Sequence, residues 1–455
     1  MSLYRPPAPV PMTPLRSLLR VIREGEGNLL SLVPKAAYSE RITPLGYSRR
    51  SIVLINDPDA IRDVMTDPLD IYPKNDLFVG ALEPLVGDSI FVSSGDTWRR
   101  QRRMIDPAFS HMRINQAFPA MAAAVADFQE TLDQHARDGT PLSLDVAMGQ
   151  LTADVICRTI FSQSLESRRA REVFTCFAEF ERAVASVELK RLIFGKAFEK
   201  VHQPDHVLRA CETIRSHIAD MLAPRLGEED ATDDIVGAMI RARDPDTGAG
   251  FTREELVDQL GVFFLAGHET TASGLTWAFY ILSRQPEALA ALREEVDREV
   301  GDGAIAFDQV KKLVLVRSTF REVLRLYPPI TFIPRVSMEN TSIAGRRIKK
   351  GAMVMISPWT THRNALLWDH PDRFIPGRFL PGQESDKPNT FLAFGLGPRI
   401  CVGAAFATIE SALILASLLR RYDFEPLAPD QVRPVARLTT RPAREILCRV
   451  RRRHG

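Results

Sequence analysis

The residues most able to do chemistry are grouped around Cys401. The stretch reads Phe394-Gly395-Leu396-Gly397-Pro398-Arg399-Ile400-Cys401-Val402-Gly403, and an alanine-rich apolar helix pattern follows from Ala404 through Leu419. The sulfur thus lies at the positive end of a helix, where a thiolate is favoured. The glycines permit a tight turn and the close approach of a flat ligand, and Arg399 can pair with an anionic group beside the sulfur. Such a set suits a sulfur anion bound to the metal of a planar cofactor. A lone cysteine is more often a small apolar filler. Zinc is disfavoured because no second cysteine or histidine lies at ligand spacing, the nearest upstream histidine being His370. A Cys-His protease site lacks local support.

Three further groups stand out. Ala266-Gly267-His268-Glu269-Thr270-Thr271 places polar side chains inside the longest helical pattern. Gly267 thins that helix so that something can lie against its backbone, Thr270 can bond a carbonyl one turn back, and Glu269 can pass protons inward. Taken alone, the stretch reads equally well as a solvent-facing patch. Glu322 and Arg325, at i and i+3, share a helix face. Trp98 and Arg102, at i and i+4, can together reach one carboxylate.

The decapeptide fits the Phe-x-x-Gly-x-Arg-x-Cys-x-Gly signature of the cytochrome P450 family, which the chain therefore resembles. The resemblance covers Trp98 to Pro442 through five ordered motifs. It implies a mainly α fold with small β-sheets (α+β), shaped as a triangular prism with haem between the long central helix and the cysteine loop. It implies haem b ligated by Cys401. Ala266, Gly267, Phe394, Gly395 and Gly403 would lie against the haem, and Trp98, Arg102, Arg335 and Arg399 would hold its propionates, with His362 a weaker candidate. By the same resemblance Thr270 and Glu269 serve oxygen activation and proton relay. Glu322, Arg325 and Arg378 form a buried structural ion network, although Gly377 stands where the family often has glutamate. Phe263, Ile330, Phe332, Leu438 and Thr439 would face substrate, as would the segment 77–92.

The implied reaction is a monooxygenation of a lipophilic molecule, with dioxygen and two electrons from a separate carrier. Peroxide-driven chemistry, or a haem sensor using His268 as an internal ligand, are the rival readings. Arg99, Arg100 and Arg103 point away from the face of Trp98 and Arg102, so they are expected to be exposed and to dock an acidic ferredoxin or flavodoxin.

The elements that must carry these groups are mostly helical. Helical patterns dominate from Trp98 to Tyr327, with strand-like runs at 51–56, 331–336, 352–357 and in the last thirty residues. The longest helix is expected to start at a Thr252/Glu255 capping box and end near Ser283, before Gln285-Pro286. A turn is expected at Thr440-Arg441-Pro442.

The 455 residues, 45% hydrophobic and 25% charged, form no repeat or low-complexity block, so one domain over 1–455 is expected. A net charge of +2 without an aromatic-laced basic tract speaks against nucleic acid. The five cysteines are widely spaced and fit a reducing compartment. No secretory leader or membrane span is evident, so a cytoplasmic monomer is expected. A proline-rich arm over 1–14 precedes an apolar face of Leu15, Leu18, Leu19 and Ile22, expected to dock on the protein.

Overall fold

The computed structural model describes the chain except residues 1–3, 14–15, 18, 21–27, 46–47, 49–50, 67–70, 167–170, 178–179, 181–193, 200, 227–231, 233, 302, 384–386, 437 and 454–455. Its axis is a helix over Arg253–Ser283, hereafter the central helix, almost all of whose residues are buried. The capping box is made in full: Thr252 Oγ1 accepts from the Glu255 N–H at 3.2 Å, and the Glu255 carboxylate accepts from the Thr252 N–H at 2.7 Å. A helix that is apolar on every side has no solvent face to offer, so neighbours must enclose it. Helix Leu144–Ile160 packs along it most extensively, with Asp205–Leu222, Val314–Leu326 and the cysteine helix Ala404–Arg421 also against it.

Four short strands form a sheet beside this helical core. They are β1 (Ile42–Leu45), β2 (Ile52–Ile55), β3 (Ile333–Val336) and β4 (Met353–Ile356), in the order β1-β2-β4-β3. β2 and β4 pair in parallel, Ile52 facing Met353, while the outer pairs are antiparallel. Both inner strands are buried at every position, the pattern of strands covered on two faces. Residues 73–75 continue the edge: the Asn75 N–H donates to the Pro334 carbonyl at 3.3 Å, and that of Val336 to Pro73 at 3.2 Å.

The expected turn at 440–442 is instead a strand, Thr440–Pro442, paired with Pro434–Ala436. Its side groups and backbone are what the pattern hid. Ser273 Oγ and Trp277 Nε1 of the central helix both donate to the Thr440 carbonyl, at 2.6 and 3.0 Å, and the Thr440 hydroxyl donates to Pro328 at 2.5 Å. This hairpin is clamped between the central helix and the Pro328-Pro329 bend, which fixes Leu438 and Thr439 beside the central helix.

The described part of the proline arm runs over the surface, where the Phe374 N–H donates to the Tyr4 carbonyl and the Tyr327 hydroxyl to that of Pro7. Of the expected apolar face, Leu15, Leu18 and Ile22 lie outside the described residues, and Leu19 is exposed. Among the described residues no helix is long and apolar enough to cross a membrane.

Candidate active site

A cavity of about 420 Å³ lies between the central helix, the cysteine segment and β3. Cys401 presents its sulfur to it. The Cys401 N–H donates to the Phe394 carbonyl at 2.8 Å, closing the loop. Gly395 and Gly397 take φ of +78° and +70°, and a β-carbon at Gly397 would strike the Met65 carbonyl, 2.9 Å away. These two positions require glycine. Burial pushes the Cys401 thiol up, against the pull of the Gly403 N–H and the Arg102 charge.

Phe394, Gly395, Arg399 and Gly403 all line the cavity, as do Trp98, Arg102, Ala266, Gly267, Arg335, Glu269 and Thr270. The four expected substrate contacts, Phe263, Ile330, Phe332 and Leu438, line it too, with Thr439. Leu77, Phe78, Ile90 and Phe91 come from the segment at 77–92. Gly267 is used differently from expectation. A β-carbon there would lie 2.4 Å from Ile156 Cδ1, so what it admits at close range is helix Leu144–Ile160. Thr270 Oγ1 donates to the Ala266 carbonyl at 2.7 Å without interrupting the helix.

Sequence reasoning missed how Glu269 is held. This buried carboxylate accepts hydrogen bonds from the Thr439 hydroxyl and the Arg441 guanidinium, both supplied by the clamped hairpin. It is an ion-paired anion. Separations of 170 and 172 residues leave no local pattern that could reveal the pairing.

The cationic wall tests the fit of an anionic cofactor. Arg335 is 6% exposed, donates from Nη1 to the Pro334 carbonyl at 3.5 Å and from Nη2 to Met65 Sδ at 3.6 Å, and is pulled down to about 10 by burial. Arg399 lies over the Trp98 ring with its Cζ 4.3 Å from the centroid. Its Nη1 donates to the Ser93 carbonyl at 3.1 Å, but its Nη2 is buried without a partner, and burial and the Arg335 charge pull it down to about 9. Lys74, which sequence reasoning also missed, donates to the Ile90 carbonyl at 2.7 Å and is held well below its ordinary value by burial and by Arg399 and Arg335. Three crowded cations, Arg335 buried and Lys74 and Arg399 half-buried, with Asp88 acting only on Lys74, are costly unless an anion joins them. The carboxylates of a porphyrin suit that wall, and Cys401 offers its sulfur to the same cavity, so the residues fit a haem.

Two candidates fall outside this wall. The neutral His362 ring is fully buried and bridges other elements: its Nε2 accepts from the Leu392 N–H at 2.7 Å while its Nδ1 meets the Arg325 carbonyl at 3.0 Å. It props the cysteine loop against the Val314–Leu326 helix and offers no propionate contact. His268 does not line the cavity; its Nδ1 meets the Phe264 carbonyl at 2.7 Å, and its ring packs on Phe174 and Phe177. It faces away, which removes the internal ligand that a haem sensor was expected to use.

Glu322, Arg325 and Arg378 meet in the interior. Arg325 grips the Glu322 carboxylate with Nε at 2.7 Å and Nη2 at 2.9 Å, and Arg378 Nε reaches it at 3.1 Å. Arg325 also donates to the carbonyls of His362, Pro371 and Arg373, fastening the segment that leads to the cysteine loop.

Arg99, Arg100 and Arg103 are not the free exposed row expected. Arg103, with 41% of its side chain exposed, reaches Asp244 at 3.0 Å and Asp246 at 2.7 Å; Arg100 is more buried, against Glu255 at 2.5 Å. Arg99, half-buried, pairs with Asp96 at 2.7 Å. The acidic loop before the central helix folds onto this face and neutralises much of it.

Residues 6–449 match the family described as Cytochrome P450. The chain belongs to the cytochrome P450 family. Among curated P450 relatives, cyclooctatin synthase of Streptomyces melanosporofaciens is 31% identical over 408 residues, covering 87% of this chain and 86% of that protein. Cyclooctat-9-en-7-ol 5-monooxygenase of the same organism is 32% identical, covering 81% and 79%. The human ultra-long-chain fatty acid omega-hydroxylase is 28% identical, covering 85% and 76%. Among solved structures, the heme domain of cytochrome P450DA superposes with a TM-score of 0.83 at 23% identity, covering 99% and 98%, and shares the P450 fold. The chain is a P450 oxidoreductase, and the family implies a haem-thiolate cofactor.

Proposed function

We propose that this P450 inserts one oxygen atom from dioxygen into a lipophilic small molecule, by hydroxylation or epoxidation, with two electrons from a separate ferredoxin or flavodoxin. The observation that carries the reading is the meeting, in one largely apolar cavity, of the Cys401 sulfur, the Thr270 hydroxyl and the cationic wall of Lys74, Arg335 and Arg399. The cofactor would be haem b, which when bound supplies oxygen activation and redox chemistry. Cys401 would ligate its iron; Lys74, Arg335 and Arg399 would take its carboxylates, with Trp98 and Arg102 beside them.

Thr270 holds a hydroxyl at the cavity wall. Its bond to Ala266 directs the proton away, leaving the oxygen to accept a hydrogen bond from an incoming group. Glu269, fixed by Arg441 and Thr439, supplies a stationary negative charge beside it that orients donors toward the cavity. Phe263, Ile330, Phe332 and Leu438 exclude water and favour an apolar substrate. Curated relatives that act as hydroxylases and monooxygenases support the same reaction class.

The test is turnover of a lipophilic substrate with reduced ferredoxin and dioxygen, set against hydrogen peroxide alone. Product formation in the first arm is expected. Efficient turnover with peroxide, and none with dioxygen and ferredoxin, would favour a peroxygenase instead.

A further inference from the structure

The cavity wall also carries a neutral donor with no partner among the described residues. Asn75 is 1% exposed, lines the cavity and stands at the head of helix Asp76–Val86. Its other polar groups are committed. The backbone N–H donates to the Pro334 carbonyl at 3.3 Å, the backbone carbonyl accepts from the Val79 N–H at 2.9 Å, and Oδ1 caps the helix by accepting from the Leu77 N–H at 3.0 Å. That cap also fixes which end of the side-chain amide is oxygen. What remains is Nδ2, buried and unbonded.

The strand register decides what this group faces. Lys74 bridges Arg335 across the edge of the sheet, so Asn75 stands opposite Pro334. Side chains alternate along an extended chain, which puts Asn75 on the face away from Lys74 and Arg335. Pro334 in turn pairs with Met355, and Val336 with Met353. Met353, Met355 and Leu77 belong to one apolar cluster, with Phe332 packed against it. The unbonded donor thus belongs to the apolar side of the wall, while the carboxylates of a haem would have Lys74 and Arg335 on the other. A buried donor without an acceptor is costly. In a ligand pocket, a polar group of this kind fixes the orientation of an otherwise apolar molecule.

We propose that Asn75 reads an uncharged acceptor oxygen on the substrate, so that the molecule taken is an apolar skeleton already carrying a carbonyl, hydroxyl or ether. This deepens the monooxygenase reading and rests on it for the reaction. Nδ2 can only donate. A carbonyl therefore serves it as well as a hydroxyl, and a pure hydrocarbon leaves it unsatisfied. Asn75 moves no proton and no electron; it selects and orients.

The test titrates the haem-loaded protein with cyclododecanone and with cyclododecane, a matched pair differing in one acceptor oxygen, and follows the shift of the Soret band. Asn75→Gly removes the donor at the smallest cost to the helix cap, and Asn75→Ser keeps a capping oxygen on a shorter side chain. In each variant the ratio of the two dissociation constants should move against the ketone by about three- to tenfold relative to wild type. A ratio equal to wild type in Asn75→Gly overturns the proposal, including the case in which both ligands weaken alike, as loss of a merely structural cap would cause. Faster transfer of haem to apomyoglobin with that ratio unchanged also overturns it, and gives the amide to the cofactor. Should Asn75→Gly fail to fold, the same ratio in Asn75→Ser decides. A shifted ratio in a protein that forms no product with reduced ferredoxin and dioxygen would support the role of Asn75 and overturn the monooxygenase reading.

Discussion

The cations crowded at the cavity carry a cost that a bound anion relieves. Lys74, Arg335 and Arg399 repel one another, and burial alone already depresses Arg335. Arg335→Leu should therefore stabilise the haem-free protein or leave it unharmed, while weakening haem retention by about 1.5–3 kcal/mol, the scale of a charge-assisted bond. Thermal unfolding of both forms and haem transfer to apomyoglobin would check this; equal haem retention in the variant contradicts it. Thr270→Ala should leave the spectrum intact and divert electrons to peroxide, measured as product formed per reductant consumed. The local motifs at 394–403, 266–271 and 98–102 made Cys401, Thr270 and Trp98 visible in the sequence. Lys74 and Arg441 were not visible, because their significance lies in neighbours far along the chain.

At the level of elements, the ion network and His362 tie the Val314–Leu326 helix to the cysteine loop. Glu322→Gln would leave Arg325 and Arg378 buried with their charges uncompensated, a loss of about 3–5 kcal/mol, seen as a lower urea midpoint and little holoprotein. His362 is held neutral, its pKa well below 6.5 through burial and the nearby Arg325 charge. The unfolded chain takes up that proton first as pH falls. Stability present above pH 6.5 should thus decline below it, by up to about 1.4 kcal/mol per pH unit, until the folded ring also protonates. Urea unfolding at a series of pH values would show the slope, and His362→Asn should flatten it.

The long helix and its cap were legible because periodicity and the Thr252/Glu255 box are local signals. The hairpin at 434–442 was not, since its role is set by bonds from Ser273, Trp277 and Thr439 across the core. The purpose of Gly267 was likewise hidden until the packing of Ile156 was seen.

For the molecule as a whole, the fold brings the Gly95–Ile105 helix beside the cysteine loop, where Arg102 donates to the Ile400 carbonyl at 2.6 Å. An acidic carrier docking here would meet a face partly neutralised by Asp96, Asp244, Asp246 and Glu255. Arg99→Glu combined with Arg103→Glu should lower the association rate by several-fold, roughly threefold or more, and reduce its salt dependence. Stopped-flow reduction at varied ionic strength would measure it, and an unchanged rate would place the docking surface elsewhere.

The claim on which the account rests is sulfur ligation of haem iron by Cys401, and the carbon monoxide difference spectrum of the reduced protein tests it most directly. The account predicts the red-shifted Soret band of thiolate-ligated iron in the wild type and its loss in Cys401→Ser. A wild type without that band, or a Cys401→Ser variant that retains it, would contradict the account.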